Sequence, residues 1–364
     1  MRNFFLGLAL FGVVFVGLAT HVVAQQTGPS EFLEGEVVRV VSEKVREAAG
    51  DNYVFQVLEV EVTKGSKENE TIVIENNAVA QASGRKYGEG DKVVIMYSVD
   101  FEGEDYFYIT DYVRRDALVT LFIIFAVVAI VVGGKWGLAS LVGMGVSMLV
   151  IFKFILPRIV AGSDPVWTAI GGSMFIIPVT FYLSHGIKRK THIAAVGTLI
   201  TLVITGILAA VAVEAAKLTG FASEEAGFLF YQQEGLINIK GLLLAGMIIG
   251  TLGILDDITI SQASVVEELK GVGKKLKSAE VFTRALRVGR DHIASLVNTL
   301  VLVYTGAALP LLLLFQNNSA PFIDVINIEV VAEEIVRMLV GSIGLILAVP
   351  ITTALAVFGV GKRV

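Results

Sequence analysis

Residues 250–269 read Gly250-Thr-Leu-Gly253-Ile-Leu-Asp256-Asp257-Ile-Thr-Ile-Ser261-Gln262-Ala-Ser264-Val-Val-Glu267-Glu268-Leu269. An apolar, glycine-bearing segment runs straight into two adjacent carboxylates and then into a polar helical pattern, with no turn signal between. Carboxylates at the end of a membrane-length run are costly to place. They mark either a functional site or the point where the bilayer ends, the aspartates then being solvated or capping the helix that follows. Either reading makes the preceding residues a membrane span.

The composition agrees. Hydrophobic residues are 54% of the 364-residue chain and charged residues 17%, against roughly 45–50% and about 25% in soluble domains. The apolar residues fall in blocks of about 20, enough to cross a bilayer as helix. Spans are expected at 117–133, 137–156, 166–185, 193–213, 239–256, 293–315 and 335–358, a multi-pass α-helical bundle of about seven spans occupying 116–364, with a cytoplasmic helical loop at 257–291. There are no cysteines, which removes disulfides, thiolate nucleophiles and zinc–cysteine sites together. Basic residues sit in short membrane-flanking loops, so nucleic acid is not an expected partner.

Residues 1–24, with Arg2, the apolar run Phe4–Ala19 and Val22-Val23-Ala24, read as a cleaved signal peptide, the alternative being an uncleaved anchor. Residues 31–113 change character: β-branched runs broken by Gly, Asn and Asp, with Val54, Leu58, Val60 and Val62 alternating against Gln56, Glu59 and Glu61. Strands are expected at 35–43, 53–63, 71–75, 92–98 and 105–113, forming an extracytoplasmic all-β, OB-like small barrel. The strand Tyr106-Phe107-Tyr108 is either core packing or a binding platform. Basic residues such as Lys188, Arg189, Lys190, Lys270 and Arg284 gather on the side that seven spans would place inside. That puts the C-terminus in the cytoplasm and the β domain outside, in a cell membrane.

Three blocks carry a family likeness: Gly250-x-x-Gly253-x-x-Asp256-Asp257-x-x-x-x-Gln262, then Gly289-Arg290-Asp291-His292 leading to Asn298-Thr299, then Asn327 through Gly344 with Leu339-Val-Gly-Ser-Ile-Gly-Leu345. On these the chain resembles the YibE/F family of bacterial membrane proteins. The resemblance implies a β-rich extracytoplasmic part followed by a multi-span part. It carries no substrate and no catalytic residue.

If 254–269 is helix, each residue turns 100°. Asp257, Ser261, Ser264 and Glu268 then share a polar face, whereas Asp256 falls with Glu267 on another. Asp257 is therefore the expected pathway residue and Asp256 the expected partner of Arg290. Arg290, Asp291 and His292 open the sixth expected span, and Asn298 and Thr299 follow inside it, either extending the site or making ordinary interhelical hydrogen bonds. Gly246-x-x-x-Gly250 and Gly341-x-x-Gly344 read as close-packing ladders, and Pro178, Pro310 and Pro350 sit inside expected spans.

Enzyme signatures are missing. Glu333-Glu334-Ile-Val-Arg337 has only two residues where the Glu-Glu-x-x-x-Arg motif of intramembrane prenyl-type proteases has three, and Glu333 with Arg337 reads as an i,i+4 pair. Gly271-Val-Gly273-Lys274-Lys275 lacks the upstream glycine of a P-loop, and no His-Glu-x-x-His occurs. His185 and His192 flank Lys188-Arg189-Lys190 without further metal ligands in sequence. No metal or cofactor is expected. The expected function is a transporter or permease, cation- or proton-coupled, for a small solute, ion or peptide. Its coupling site would draw on Asp256, Asp257, Gln262, Arg290, Asp291, Asn298 and Thr299, with Ser261, Ser264 and Glu268 in support. The alternative is a non-transporting scaffold whose β domain recruits an envelope partner or a second copy; a membrane enzyme comes third.

Overall fold

A computed structural model describes residues 31–48, 51–77, 86–99, 103–272, 276–316 and 321–359. The expected signal peptide lies outside these. The chain divides into two compact units at residues 128 and 129, each taken on its own below.

The first unit holds five antiparallel strands: β1 Glu31–Ala48, β2 Asp51–Lys64, β3 Thr71–Asn77, β4 Lys92–Val99 and β5 Asp105–Tyr112. Alternation puts Leu33, Val37, Leu58, Val60, Val62, Ile72, Ile74, Val93, Ile95 and Ile109 on one buried face. Gly35 lies among them because a Cβ there would sit 2.7 Å from Val60 Cγ1 and 2.9 Å from Ile95 Cδ1. Gln56, fully buried, donates to Tyr87 O (2.9 Å) and accepts from Tyr87 N (2.9 Å), tying the segment before β4 to β2.

The strand order is β3-β2-β1-β4-β5, and this corrects the expected closed barrel. β1 pairs with β2 along nearly its whole length but with β4 only over Glu31–Glu36, and its register with β2 shifts between Val37 and Arg39 and between Val40 and Ser42. Such shifts add twist, so the sheet curls into a half-barrel whose outer strands, β3 and β5, share no ladder among the described residues. In the aromatic strand, Phe107 stacks on Tyr97 (centroids 5.1 Å apart) while Tyr106 stays exposed. Arg115, one residue into the first helix, holds Glu34 of β1 through paired hydrogen bonds of 2.9 and 3.0 Å. That guanidinium holds the Glu34 carboxyl below the usual carboxylate range.

The helices are α1 Arg115–Val150, which starts in the first unit and ends in the second, α2 Leu156–Val160, α3 Pro165–His185, α4 Arg189–Ala215, α5 Glu224–Gln232, α6 Ile239–Val272, α7 Ser278–Ala307, α8 Leu309–Gln316, α9 Phe322–Val325 and α10 Glu329–Phe358. Among the described residues five helical segments are long and apolar enough to cross a membrane, six if α7 and α8 count as one bent span, against the seven expected. Two differences account for this. The expected spans 117–133 and 137–156 lie in one helical segment, Arg115–Val160, interrupted at Gly134 (φ 57°, ψ −135°), a conformation for glycine alone. The chain turns back there, since a Cβ on Gly137 would collide with the Ala129 carbonyl. The expected span 293–315 is bent by 67° between α7 and α8, where Pro310 lacks the N–H needed to continue the ladder. Pro178 and Pro350 remain inside continuous helices.

Helices α4, α6 and α10 pack at the centre of the second unit. A Cβ on Gly197 (α4) would lie 2.6 Å from Thr352 Oγ1 (α10), and one on Gly344 (α10) would collide with the Thr205 hydroxyl (α4). Thr198 and Thr259 hydrogen-bond across α4 and α6 at 2.7 Å. The expected ladder of α6 is corrected and that of α10 half kept: Gly246 and Gly341 have open space where a Cβ would stand and Gly250 only a Tyr304 hydroxyl at 3.9 Å, whereas Gly344 is closely packed. Close approach was placed on the wrong face of α6. Overpacking of this kind costs about 1–3 kcal/mol, so Gly344→Ala lowers the thermal stability of the purified protein by about that much. Thr205→Ala in the same chain, which removes the colliding atoms, restores most of it; a double variant no more stable than the single one would refute the contact.

Candidate functional site

Asp256 and Asp257 lie inside α6, with apolar helix on one side and the polar pattern on the other. Asp256 is half-buried, and its Oδ1 is enclosed without a hydrogen-bond partner. Asp257 is exposed. Both line one cavity of about 300 Å³ with Gly253 and Ile260 of α6, Ser140 of α1, and Thr180, Phe181, Ser184 and His185 of α3. The Thr180 hydroxyl donates to Ile176 O at 2.9 Å, which leaves its lone pairs for the cavity. Two carboxylates and hydroxyl lone pairs make the cavity rich in acceptors, a surrounding that suits a cation or a mobile proton.

Asp257 and Gly253 also line a second cavity, of about 330 Å³, with Ile254 and with Leu296, Thr299, Leu300, Val303 and Tyr304 of α7. Tyr304 lines in turn a third cavity of about 90 Å³, shared with Thr305, Ala308 and, on α10, Val331, Glu334, Ile335 and Met338. The three cavities are thus strung together by shared walls, Asp257 with Gly253 between the first two and Tyr304 between the last two.

The remaining expected site residues scatter. Gln262 is fully buried, and its Nε2 donates to Ala285 O of α7 (2.9 Å) and Thr353 Oγ1 of α10 (2.7 Å). It is a clamp between three helices, away from the cavities. Gly289, which packs against that amide and against Val349, turns α7 so that its neighbours Arg290 and Asp291 point outward. Arg290, Asp291 and Asn298 are exposed, and among the described residues Arg290 pairs with neither aspartate. Thr299 is exposed, donates to Ser295 O (3.0 Å) and reaches the second cavity. Ser261 and Ser264 are half-buried and Glu268 exposed, none of them in the cavities with Asp257.

Two further expectations change. The aspartates were expected to diverge, yet adjacent side chains 100° apart on a helix both reach a cavity this wide, and only Asp257 reaches the next one as well. Arg337 pairs with Glu334 (2.8 Å), one step from the expected Glu333, because Glu333 turns into the interior, where its Oε1 has no partner. Ser140, Thr180, Ser184, His185 and Tyr304 were not anticipated. The i,i+4 spacing of Thr180 with Ser184 and of Phe181 with His185 was the available signal, since it sets them on adjoining strips of α3. No set of three His, Asp or Glu able to hold a metal occurs among the described residues.

The YibE/F-like protein family model matches residues 121–362. The chain belongs to the YibE/F-like family. The match covers the helices and begins beyond the β sheet, although the likeness in sequence had been taken to include it. No curated protein and no solved structure matches the chain. For this YibE/F-like protein the clamp and the cavity residues separate by test. Gln262→Met removes interhelical hydrogen bonds worth roughly 0.6–2 kcal/mol each in a membrane. It lowers the melting temperature of the purified protein and leaves the rate at which a thiol reagent modifies a cysteine placed at Thr299, which lines the second cavity, unchanged; a changed rate would return Gln262 to the site.

Proposed function

We propose that this YibE/F-like protein is a membrane permease in which Asp257, with Asp256 beside it, binds the coupling cation or proton on the way of a small solute, ion or peptide. The observation that carries the reading is that both aspartates face one acceptor-rich cavity between apolar helices, and that Asp257 alone faces the next cavity as well. Carboxylates at membrane depth are costly unless they serve a path, a pair or a bound cation, and neither aspartate has an ion-pair partner among the described residues. The broken helix at Ala308 supports the reading, because interrupted helices at membrane depth are tolerated where they line a cavity. Counting the two arms on either side of Gly134 as separate crossings, and α7 with α8 as one, gives seven crossings. An extracytoplasmic β sheet then goes with a cytoplasmic C-terminus, in line with the basic residues between α3 and α4. No enzymatic role is proposed.

The path runs from the Asp256–Asp257 cavity past Thr299 to Tyr304, and from there to the Glu334–Arg337 pair. Proteoliposomes carrying the purified chain are tested for proton and sodium movement with indicator dyes while small solutes and short peptides are supplied. Asp257→Asn slows the movement about tenfold or more, a barrier change of about 1.4 kcal/mol, and flattens its dependence on pH. Unchanged flux across a pH series would remove Asp257 from the mechanism.

Tyr304 is tested without any solute, because the chain has no cysteine of its own. A Thr299→Cys variant is exposed to a membrane-impermeant thiol reagent from the side of Glu334. Adding Tyr304→Ala speeds its modification about tenfold, the effect of removing a barrier of about 1.4 kcal/mol. An unchanged rate would mean that the second and third cavities do not communicate through Tyr304.

A further inference from the structure

A separate cavity of about 180 Å³ lies where three apolar helices end together: the start of α4 supplies Arg189, Lys190 and Ile193, the later part of α6 supplies Ala263, Val266, Glu267 and Lys270, and α10 supplies Ala356 near its end. Three cations face one carboxylate. Lys190 pairs with Glu267 at 3.0 Å. Lys270 donates to Ala356 O (2.8 Å) and Val357 O (3.1 Å), carbonyls in the last turn of α10. This uses two of the three N–H groups on its ammonium. Arg189 is exposed and, among the described residues, has neither an ion pair nor a hydrogen bond. The guanidinium fork is therefore open at the rim, beside two cations that are only partly neutralised.

The opposite wall is apolar. Ile193, Ala263, Val266 and Ala356 belong to segments long and apolar enough to cross a membrane, Arg189–Ala215, Ile239–Gly271 and Glu329–Phe358. All three stop or start at this cavity, so its charged rim lies at the depth of lipid phosphates while its apolar wall continues toward the acyl chains. A phosphate is the anion that an arginine fork matches with two parallel hydrogen bonds. Basic pockets between spans are suited to anionic headgroups.

We propose that this cavity is a headgroup site for an anionic phospholipid, with Arg189, Lys190 and Lys270 around the phosphate and Ile193 and Val266 along the glycerol end. The proposal rests on these helices crossing the membrane and is independent of any movement of solute past Asp257. The full-length protein in phosphatidylcholine nanodiscs is titrated with phosphatidylglycerol, with thermal stabilisation and lipid retained on the purified protein as readouts. A parallel series receives inorganic phosphate. The wild type retains phosphatidylglycerol over phosphatidylcholine. Arg189→Gln weakens that preference about fivefold, the effect of one cation near an anionic surface, and Arg189→Lys restores part of it. Because Arg189 makes no bonds among the described residues, the variant keeps its fold, and its melting temperature in pure phosphatidylcholine stays that of the wild type. Equal retention of phosphatidylglycerol by Arg189→Gln would overturn the proposal. So would stabilisation by millimolar inorganic phosphate as large as that by the lipid, since the site would then take the free anion.

Discussion

The helical unit depends on close backbone approach between α4, α6 and α10. Inside a bilayer apolar side chains gain nothing by leaving lipid for protein, so helices associate through van der Waals packing and interhelical hydrogen bonds. Both occur along this seam. Gly197 admits Thr352, and Gly344 admits Thr205. The buried hydroxyls of Thr201, Thr205 and Thr353 each donate to a carbonyl one turn back in their own helix, at 2.8, 2.8 and 2.6 Å. These three threonines thus enter a dry interface without an orphaned donor, whereas the buried Thr352 hydroxyl beside Gly197 has no hydrogen-bond partner among the described residues. Thr198 and Thr259 add a hydrogen bond between helices, and Gln262 adds two more farther along.

With α6 gripped by α4 and α10, its remaining surface is free to line cavities, and there the two aspartates lie. Their placement follows from packing as well as from charge. Asp256 has one oxygen enclosed without a partner, a cost that a loosely held helix would relieve by rotating. A helix fixed at Thr259 and Gln262, within two turns of that carboxylate, cannot rotate without breaking those bonds. The breaks in helical geometry lie elsewhere, at Gly134 and after Ala307. On the permease reading proposed above, a carboxylate pair held by packing between two broken helices would suit an alternating path.

Much of the architecture was legible because it rests on periodicity. The five strands fall within a few residues of their expected places, and the apolar blocks coincide with helices. Closure of the sheet was not legible, because it depends on how far β1 pairs with β4, a matter of register that alternation does not carry. The glycine ladder of α6 misled for a related reason. Spacing tells that small residues share a face, but whether that face meets a helix is decided by partners distant in sequence, and Gly197 and Gly344 found theirs in threonines. The same limit applies to the site. Asp256 and Asp257 announced themselves by the cost of their charges. Ser140, Thr180 and Tyr304 did not, since hydroxyls carry no charge, and one bonded to its own backbone, as that of Thr180 is, costs an apolar helix little. The assignment of Arg290 to Asp256 assumed that nearby opposite charges meet; the buried neighbour Gly289, fitted against Gln262, fixes the rotation of α7 and sends the guanidinium outward.

The distribution of charge along α6 ties these features together. Asp256 and Lys270 are separated by about 20 Å of helix at 1.5 Å per residue, too far for either to contact the surroundings of the other. Each end therefore has surroundings of its own. The acidic part faces hydroxyl lone pairs. The basic part faces Arg189 and Lys190 and grips the last carbonyls of α10, whose partial negative charge favours a cation. That grip joins α6 to the end of α10, so the helix that lines the aspartate cavity at one point closes the basic cavity at another. The two cavities thus share α6 as a wall, while α4 and α10 line the basic one without reaching the acidic one, and α1 and α3 line the acidic one without reaching the basic one.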